Sequence, residues 1–449
     1  MMSVRDAAAT VNGKARGGNP VFSGVSTDTR TVRAGELFVA LRGEKFDGHN
    51  FLDQAKSAGA VAALVDRKFT AKPPLPAIVV EDTKLALGSL AKGWRARFQP
   101  KLVAIVGSNG KTTVKEMLAA ILRRHAGEGA VLATAGNLNN DIGLPLTLLR
   151  LRAEHGCCAI ELGMNHKGEI AYLADIAAPT VAVVNNAQRE HLEFMNSVGE
   201  VAAENASVYY ALPPQGVAVV NADDAHADFF RKAASGRRVI DFGLESKARV
   251  TGKYALKGLT SEIDIRTPGG EARATLAIPG LHNVRNALAA AACAFAVGIK
   301  EKAIGEGLSA FRPYTGRLQV KEAKGGATVI DDTYNANPDS VRAAIDVLAS
   351  CPAPTVLVLG DMGEVGEQGA EFHREVGAYA RQKKIGGLFA LGAATRHAVE
   401  AFGKGGRHFD SVESLVASLE GRTILVKGSR FMKMERVVAA LTGTTTGGH

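Results

Sequence analysis

Cysteine is scarce in this chain. Four residues among 449, Cys157, Cys158, Cys293 and Cys351, show no Cys-x-x-Cys spacing, which gives no basis for a disulfide framework. The adjacent Cys157 and Cys158 lie in an apolar stretch and read as small hydrophobes of a buried strand, so a reduced, cytoplasmic setting is expected. Aromatic residues are sparse at 6% and are not interleaved with basic ones. No Lys/Arg cluster of about five to eight residues appears, which argues against nucleic acid as a partner. The net charge of +9, from 54 basic and 45 acidic residues, suits an acidic small substrate or a merely basic surface equally well. No apolar run reaches the roughly 18 to 20 residues that span a bilayer, so no stable membrane insertion is expected. Residues 1–16 hold no apolar core of a signal peptide, and no secretory signal is expected.

What remains is the composition of a soluble globular protein, 46% hydrophobic and 22% charged. A chain of this length has room for roughly two to four domains, each with its own core. Three regions separate. Residues 1–99 carry short strand-like runs at 37–41, 61–65 and 78–80, with a turn at Lys72-Pro73-Pro74-Leu75-Pro76 where successive prolines exclude helix and ladder pairing. Residues 100–313 hold unalternating apolar runs at 103–106, 157–162, 181–184 and 217–220, the pattern of a parallel sheet covered on both faces. Residues 314–449 repeat the scheme at 327–330, 355–359, 388–391 and 423–426. There Val341, Ala344, Ile345 and Leu348 follow the helix-start signal Asn337-Pro338. The expected fold is α/β with three domains: a small α/β N-terminal domain, a central P-loop ATPase-like parallel sheet, and a C-terminal Rossmann-like domain. The small polar tail, 442–449, has nothing to bury and is expected to fray.

The most informative segment runs from Leu102 to Thr113. An apolar run ends in Gly107-Ser-Asn109-Gly110-Lys111-Thr112-Thr113, and Val114, Met117, Leu118, Ile121 and Leu122 then share one helix face. Strand, tight loop and helix start aim backbone N–H groups at one point. Lys111 supplies a point charge for outer phosphates, and the Thr112 hydroxyl is a ligand for Mg²⁺. In the usual phosphate loop the first Gly stands five residues before Gly-Lys; here Ile105 holds that place and the loop is shorter.

Polar residues recur just after the other strands, where open α/β sheets bind ligands. Glu161 is suited to holding Mg²⁺, a hard cation that takes oxygen ligands, or to bonding local backbone. His191 follows the next strand as a second candidate metal ligand, and a lone histidine there is also an ordinary structural residue. Asn283 and Asn286 open an Ala-rich helix, where amides cap a helix start or read a base edge. Asp332, Tyr334 and Asn335 lie in Asp331-Asp-Thr-Tyr-Asn-Ala-Asn-Pro338, part helix capping and part suited to a ribose. Lys427, Ser429 and Arg430 offer cations and a hydroxyl to a carboxylate or phosphate, or make up a charged connection.

The loop 107–113 resembles the nucleotide loop of the Mur ligases, ATP-dependent enzymes that form amide bonds in peptidoglycan synthesis. The likeness continues in order through Ser26-Thr-Asp-Thr-Arg30, Gly35-Glu-Leu-Phe-Val-Ala-Leu-Arg-Gly43, Phe46-Asp-Gly-His-Asn50, Asn137-Leu-Asn-Asn-Asp-Ile-Gly-Leu-Pro145, Glu161-Leu-Gly-Met-Asn165, the 331–338 segment and Lys427-Gly-Ser-Arg430. The last two are the more specific. The resemblance implies joining of D-alanyl-D-alanine to UDP-N-acetylmuramoyl-tripeptide through an acyl phosphate, with ATP and Mg²⁺ and small-molecule partners only, by a monomer. It implies that Thr27, Asp28, Thr29, Arg30, Phe46, Asp47, Gly48 and His49 hold the UDP end. Gly107, Asn109, Gly110, Lys111, Thr112 and Thr113 would hold ATP phosphates, with Asn283 and Asn286 at adenine. Arg317 and Asp332 would reach phosphate and ribose from the third region. Asn139, Asn140, Tyr334, Asn335, Lys427, Ser429 and Arg430 are implied at the substrates. Thr112, Glu161 and His191 are implied at the metal, and Lys111, His191 and Arg317 at the chemistry.

One departure stands out. The family often carries a carbamylated lysine in an Ala-Lys-Gly-Glu motif, and here Asn205 takes that place in Val201-Ala-Ala-Glu-Asn-Ala-Ser207. Glu204, or a water held by Asn205, is then expected to cover the role. Rival readings are a sister Mur ligase, a folylpolyglutamate-type synthetase, or a non-catalytic nucleotide-regulated binding protein. Turnover of ATP only with a peptide amine present separates the last from the ligases.

Overall fold

The computed structural model describes the chain except Lys45, His191 and residues 420–422 and 445–449. Three sheets carry the architecture, beside a two-stranded ribbon formed by Met2–Ser3 and Val21–Phe22. The first is five-stranded, in the order Lys14–Arg16, Ala77–Val80, Ala62–Asp66, Glu36–Val39, Gly24–Ser26. Only the Lys14–Arg16 edge is antiparallel. The three runs expected as strands in this region all pair here.

The central sheet has nine strands. From Val131–Ala133 it runs through Cys157–Glu161, Lys101–Val106, Val181–Val184, Val217–Asn221 and Arg238–Gly243, all parallel. Every residue of Cys157–Glu161 and of Val181–Val184 is buried, as runs covered on both faces must be. Beyond them lie Val250–Lys257, Thr260–Thr267 and Gly270–Leu276, a meander that the sequence reading did not anticipate. Its strands face water on one side, so Ser261, Ile263, Ile265 and Thr267 are buried while the residues between them are exposed. A two-residue loop with Gly258 at φ +60° joins the first pair. Helices Lys111–Ala126 and Leu281–Ala296 pack together over this sheet. The second is buried from Ala287 to Ala294, small side chains that let helix and strands approach closely.

The third sheet has six strands in the order Gln319–Glu322, Thr328–Asp332, Thr423–Lys427, Thr355–Gly360, Gly387–Leu391, Gly406–Phe409. All are parallel except the first. Helix Pro338–Ala349 begins at the expected signal: the Asn337 side chain accepts from the Ser340 N–H, and the Ser340 hydroxyl accepts from the Asn337 N–H. The final helix, Glu435–Thr442, ends on the first residue of the stretch expected to fray, and residues 445–449 of that stretch lie outside the described residues. Among the described residues no helix is long and apolar enough to cross a membrane. Segments that follow strands of the central and third sheets meet, with Asn337 bonding Asn109 and Arg317 approaching Thr112.

Candidate active site

The loop after Lys101–Val106 turns on two glycines. Gly107 has φ +132° and Gly110 φ +83°, backbone that side chains rarely adopt. A Cβ at Gly110 would press on the Asn286 amide and lie 2.8 Å from Asn185 Nδ2. The close fit exists because the loop sits in a cradle of amides. Asn185 Nδ2 donates to Asn109 O at 2.8 Å and to Asn286 Oδ1 at 2.9 Å. Asn186 donates to Asn109 O and accepts the Asn109 N–H at 2.8 Å. Asn286 in turn donates to Asn283 Oδ1 at 3.1 Å. Asn283 and Asn286, expected at adenine, are thus buried and hold the loop; both also line a cavity of about 380 Å³ beside it.

Lys111 begins its helix with no side-chain cap ahead of it, leaving the helix N–H groups to a ligand. Its ammonium is folded back, donating to Gly107 O at 2.6 Å and to the Glu190 carboxylate at 2.9 Å. Glu190 holds the place beside the lysine that a phosphate needs, and sequence reasoning passed over it in favour of the neighbouring His191. His191 itself lies outside the described residues, so its part in any metal site stays an expectation.

On the other side of the loop is a larger cavity, about 650 Å³, shared by the central and third regions and edged by Lys84 and Leu85 of helix Thr83–Arg95. Glu161 lines it. Its Oε1 accepts from Asn139 Nδ2 at 2.8 Å and from the Thr112 hydroxyl at 3.3 Å. Its Oε2 is buried with no hydrogen-bond partner among the described residues. A carboxylate oxygen in that state is costly unless a cation joins it. Thr112 and Glu161 therefore fit a Mg²⁺ ion, although among the described residues no group of three His, Cys, Asp or Glu is arranged to hold a metal by itself. Asn140 caps the following turn by accepting from Gly143 N at 2.8 Å, and lines the same cavity.

Arg317 arrives from the third region. Its Nη2 stands 3.5 Å from the Thr112 hydroxyl, and its guanidinium lies 4.0 Å from the Tyr334 ring centre. Tyr334 and Asn335 line the larger cavity, Asp332 and Lys427 the smaller one, and Arg317 both. Asp332 and Lys427 are cross-strand partners and form a buried ion pair at 2.6 Å. Burial holds the Lys427 ammonium below its ordinary range, against the pull of Asp332. Lys427 also donates to Asn335 O at 2.9 Å, so its charge serves Asp332 and the 332–335 segment rather than the larger cavity. Ser429 is buried too: it donates to Ala336 O at 3.1 Å and accepts from Gly363 N at 2.8 Å. Arg430 is exposed and pairs with Glu435 at 3.2 Å.

The residues expected at the UDP end line neither cavity. Arg30 is exposed and pairs with Asp28 at 2.6 Å, beside Thr27 and Thr29. His49 is buried: its Nδ1 bonds Asp47 at 2.6 Å, and its Nε2 accepts the Asp66 N–H at 3.1 Å. Arg42 ties Asp47 and Asp66 together. Asp47, Gly48 and His49 therefore build the loop, and Phe46 stands exposed on it. Glu204, expected to cover the role of the absent lysine, is engaged locally. Its carboxylate accepts from Gly168 N at 2.9 Å and Ile170 N at 2.8 Å, capping helix Glu169–Ala177. Each oxygen takes one backbone N–H, so the role the structure gives this carboxylate is that cap. Asn205 is buried and bonds back to Val201 O at 3.1 Å within its own helix.

A phosphate loop at the end of a parallel strand, a carboxylate with an open oxygen, and an arginine from a second α/β unit define a nucleotide-dependent enzyme acting between domains. Family models for the Mur ligase family catalytic domain, the Mur ligase middle domain and the Mur ligase glutamate ligase domain match residues 21–95, 105–294 and 316–430. The chain is 41% identical over 441 residues to UDP-N-acetylmuramoyl-tripeptide--D-alanyl-D-alanine ligase of Escherichia coli, covering 96% of each chain. It is 41% identical over 429 residues to the ligase of that name from Haemophilus influenzae, covering 93% of each. A crystal structure of MurF from Acinetobacter baumannii superposes with a TM-score of 0.91 at 34% identity, over 99% of both chains. MurF ligase of Thermotoga maritima, solved in complex with ADP, superposes at 0.82 with 27% identity, over 93% of this chain and 96% of that one. This chain belongs to the Mur ligase family.

Proposed function

We propose that this chain joins D-alanyl-D-alanine to UDP-N-acetylmuramoyl-tripeptide at the expense of ATP, forming ADP and phosphate. The observation that carries this reading is near-full-length agreement with relatives named for that reaction, together with a phosphate loop that meets Arg317 from the third region. The units are taken as residues 1–99 for the UDP end, 100–313 for ATP, and 314–449 for the ligase half.

A carboxylate is a poor acyl donor to an amine, so it must be activated. A tripeptide carboxylate oxygen attacks the γ-phosphorus of ATP and the bond to the β-phosphate oxygen breaks, releasing ADP. The D-alanyl-D-alanine amine then attacks the acyl-phosphate carbon, and phosphate leaves while the amine proton passes to solvent. Lys111 neutralises the phosphates, and Arg317 adds a second cation from across the cleft. Thr112 and Glu161 would hold Mg²⁺, with His191 expected beside them; the ion would supply charge neutralisation on the phosphates. Asp332, held by Lys427, would accept from a ribose hydroxyl in the smaller cavity. Asn139, Asn140, Tyr334 and Asn335 are placed to meet the substrates in the larger one. The protein is read as a monomer of the cytoplasm with no nucleic acid partner.

Phosphate release with UDP-N-acetylmuramoyl-tripeptide, measured with and without D-alanyl-D-alanine, tests this. Release that depends on both, with the pentapeptide product seen by mass spectrometry, is expected. Release indifferent to D-alanyl-D-alanine overturns it.

A further inference from the structure

The segment between Val181–Val184 and residue 191 works in two directions. Toward the phosphate loop, Gln188 N donates to the Ser108 hydroxyl at 2.9 Å, Gln188 Oε1 accepts from Asn109 at 2.7 Å, and Glu190 takes Lys111. Toward the third region stands Arg189. Its backbone N–H donates to Asp339 Oδ2 at 3.0 Å. The Nε and Nη2 edge of its guanidinium meets the Asp339 carboxylate, with Nη2 at 2.6 Å from Oδ1. The other edge meets Glu375, with Nη1 to Oε2 at 2.6 Å and Nη2 to Oε1 at 3.0 Å. Phe372 underlies the group, its ring centre 5.2 Å away.

Both edges of the planar fork are therefore used, each on a carboxylate from a different helix of the third region, Pro338–Ala349 and Gly369–Gln382. Only arginine has this donor geometry. Arg342 also donates to Glu375 at 3.0 Å, fixing that carboxylate from its own side. The three side chains of the Arg189 contacts are 25%, 23% and 28% exposed, so the pair is shielded from the full screening of a surface ion pair.

We propose that Arg189 is a positioning residue of the ligase reaction, docking the third region onto the phosphate loop so that Arg317 and Asp332 reach the nucleotide. It touches no reacting atom and acts through the placement of other groups. The inference rests on the ligase reading for its kinetic part only, since the docking itself is a property of the unliganded chain.

Arg189→Ala and Arg189→Lys, with the charge-neutral Asp339→Asn, form the test, read by small-angle scattering without ligands and by steady-state kinetics. All three should broaden the distance distribution of the unliganded protein. They should lower kcat/KM for ATP about ten- to a hundredfold, as misplaced reacting groups do. The dissociation constant of UDP-N-acetylmuramoyl-tripeptide should stay close to wild type and the melting temperature should fall only slightly, which loss of general stability would not allow. Lysine should fail to rescue, because it lacks the fork. Scattering profiles that superpose on wild type overturn the docking. Absence of turnover in the wild-type protein counts instead against the ligase reading, and the scattering then decides the docking alone.

Discussion

Lys111 and Glu190 define the resting state of the phosphate site. An ammonium held by a carboxylate at 2.9 Å must let go of it before a phosphate takes its place, so Glu190 opposes nucleotide binding. Glu190→Gln keeps the shape and removes the charge. The Kd for ATP, measured by calorimetry, should fall about two- to tenfold, ~0.4–1.4 kcal/mol for a charge-assisted contact no longer in competition; an unchanged or higher Kd would count against Glu190 as a competitor. Gly110 sets the opposite constraint. Gly110→Ala puts a methyl against Asn286 and Asn185 and strains φ +83°. A loss of about 1–3 kcal/mol of stability is expected from that strain, with loss of ATP binding. Chemical denaturation and titration check the two losses separately.

At the scale of the element, the residue that caps helix Pro338–Ala349 carries two jobs. Asn337 caps the helix and, through Nδ2, donates to Asn109 Oδ1 at 3.0 Å. The two separate by substitution. Asn337→Ala removes both and should cost about 1 kcal/mol in denaturant unfolding. Asn337→Asp keeps a good cap but loses the donor toward the loop, so stability should be nearly retained while the KM for ATP rises. Equal losses of stability in both variants would show that the cap is not what Asn337 contributes.

That helix was legible in the sequence because a start signal and a 3.6-residue apolar period agree over a short window. The loop 107–113 and the parallel strands were legible for the same reason, each being a local pattern. The antiparallel meander was not, since a search for unalternating apolar runs passes over strands that alternate polar and apolar residues, although glycines mark both of its turns. Arg189 was invisible for a different cause. Its partners lie 150 and 186 residues further along the chain, and no spacing rule connects them. His49 and Ser429 were read as ligand-facing, because their segments match the family's motifs. A motif does not say which of its members point inward to hold the loop.

For the whole molecule, acid is the revealing stress. His373 is fully buried, its Nδ1 bonding Gly369 O at 2.6 Å and its Nε2 accepting the Met362 N–H at 3.0 Å. With Nε2 committed as an acceptor, a second proton has no place without breaking that bond. Burial lowers the pKa of His373, and it lowers that of His282, in the smaller cavity beside Lys427, to about 4. An unfolded histidine takes its proton near pH 6.5, so below that pH the unfolded chain binds more protons than the folded one. Stability therefore rises with pH across this window and is fully present only above about pH 6.5. It should erode as pH falls toward 4. The carboxylates held low by their partners, such as Glu375 by Arg189 and Asp223 by the Leu244 and Ser246 N–H groups, add a loss in the same direction at more acidic pH. Melting temperatures should thus be flat from about pH 8 to 7 and decline from about 6.5 downward, well before carboxylates titrate. His373→Gln, which retains an acceptor for Met362 without a titrating ring, should lower the plateau but make the slope between pH 6.5 and 5 shallower. A slope identical to wild type would shift the acid sensitivity to His282 and His155, whose pKa values burial also lowers.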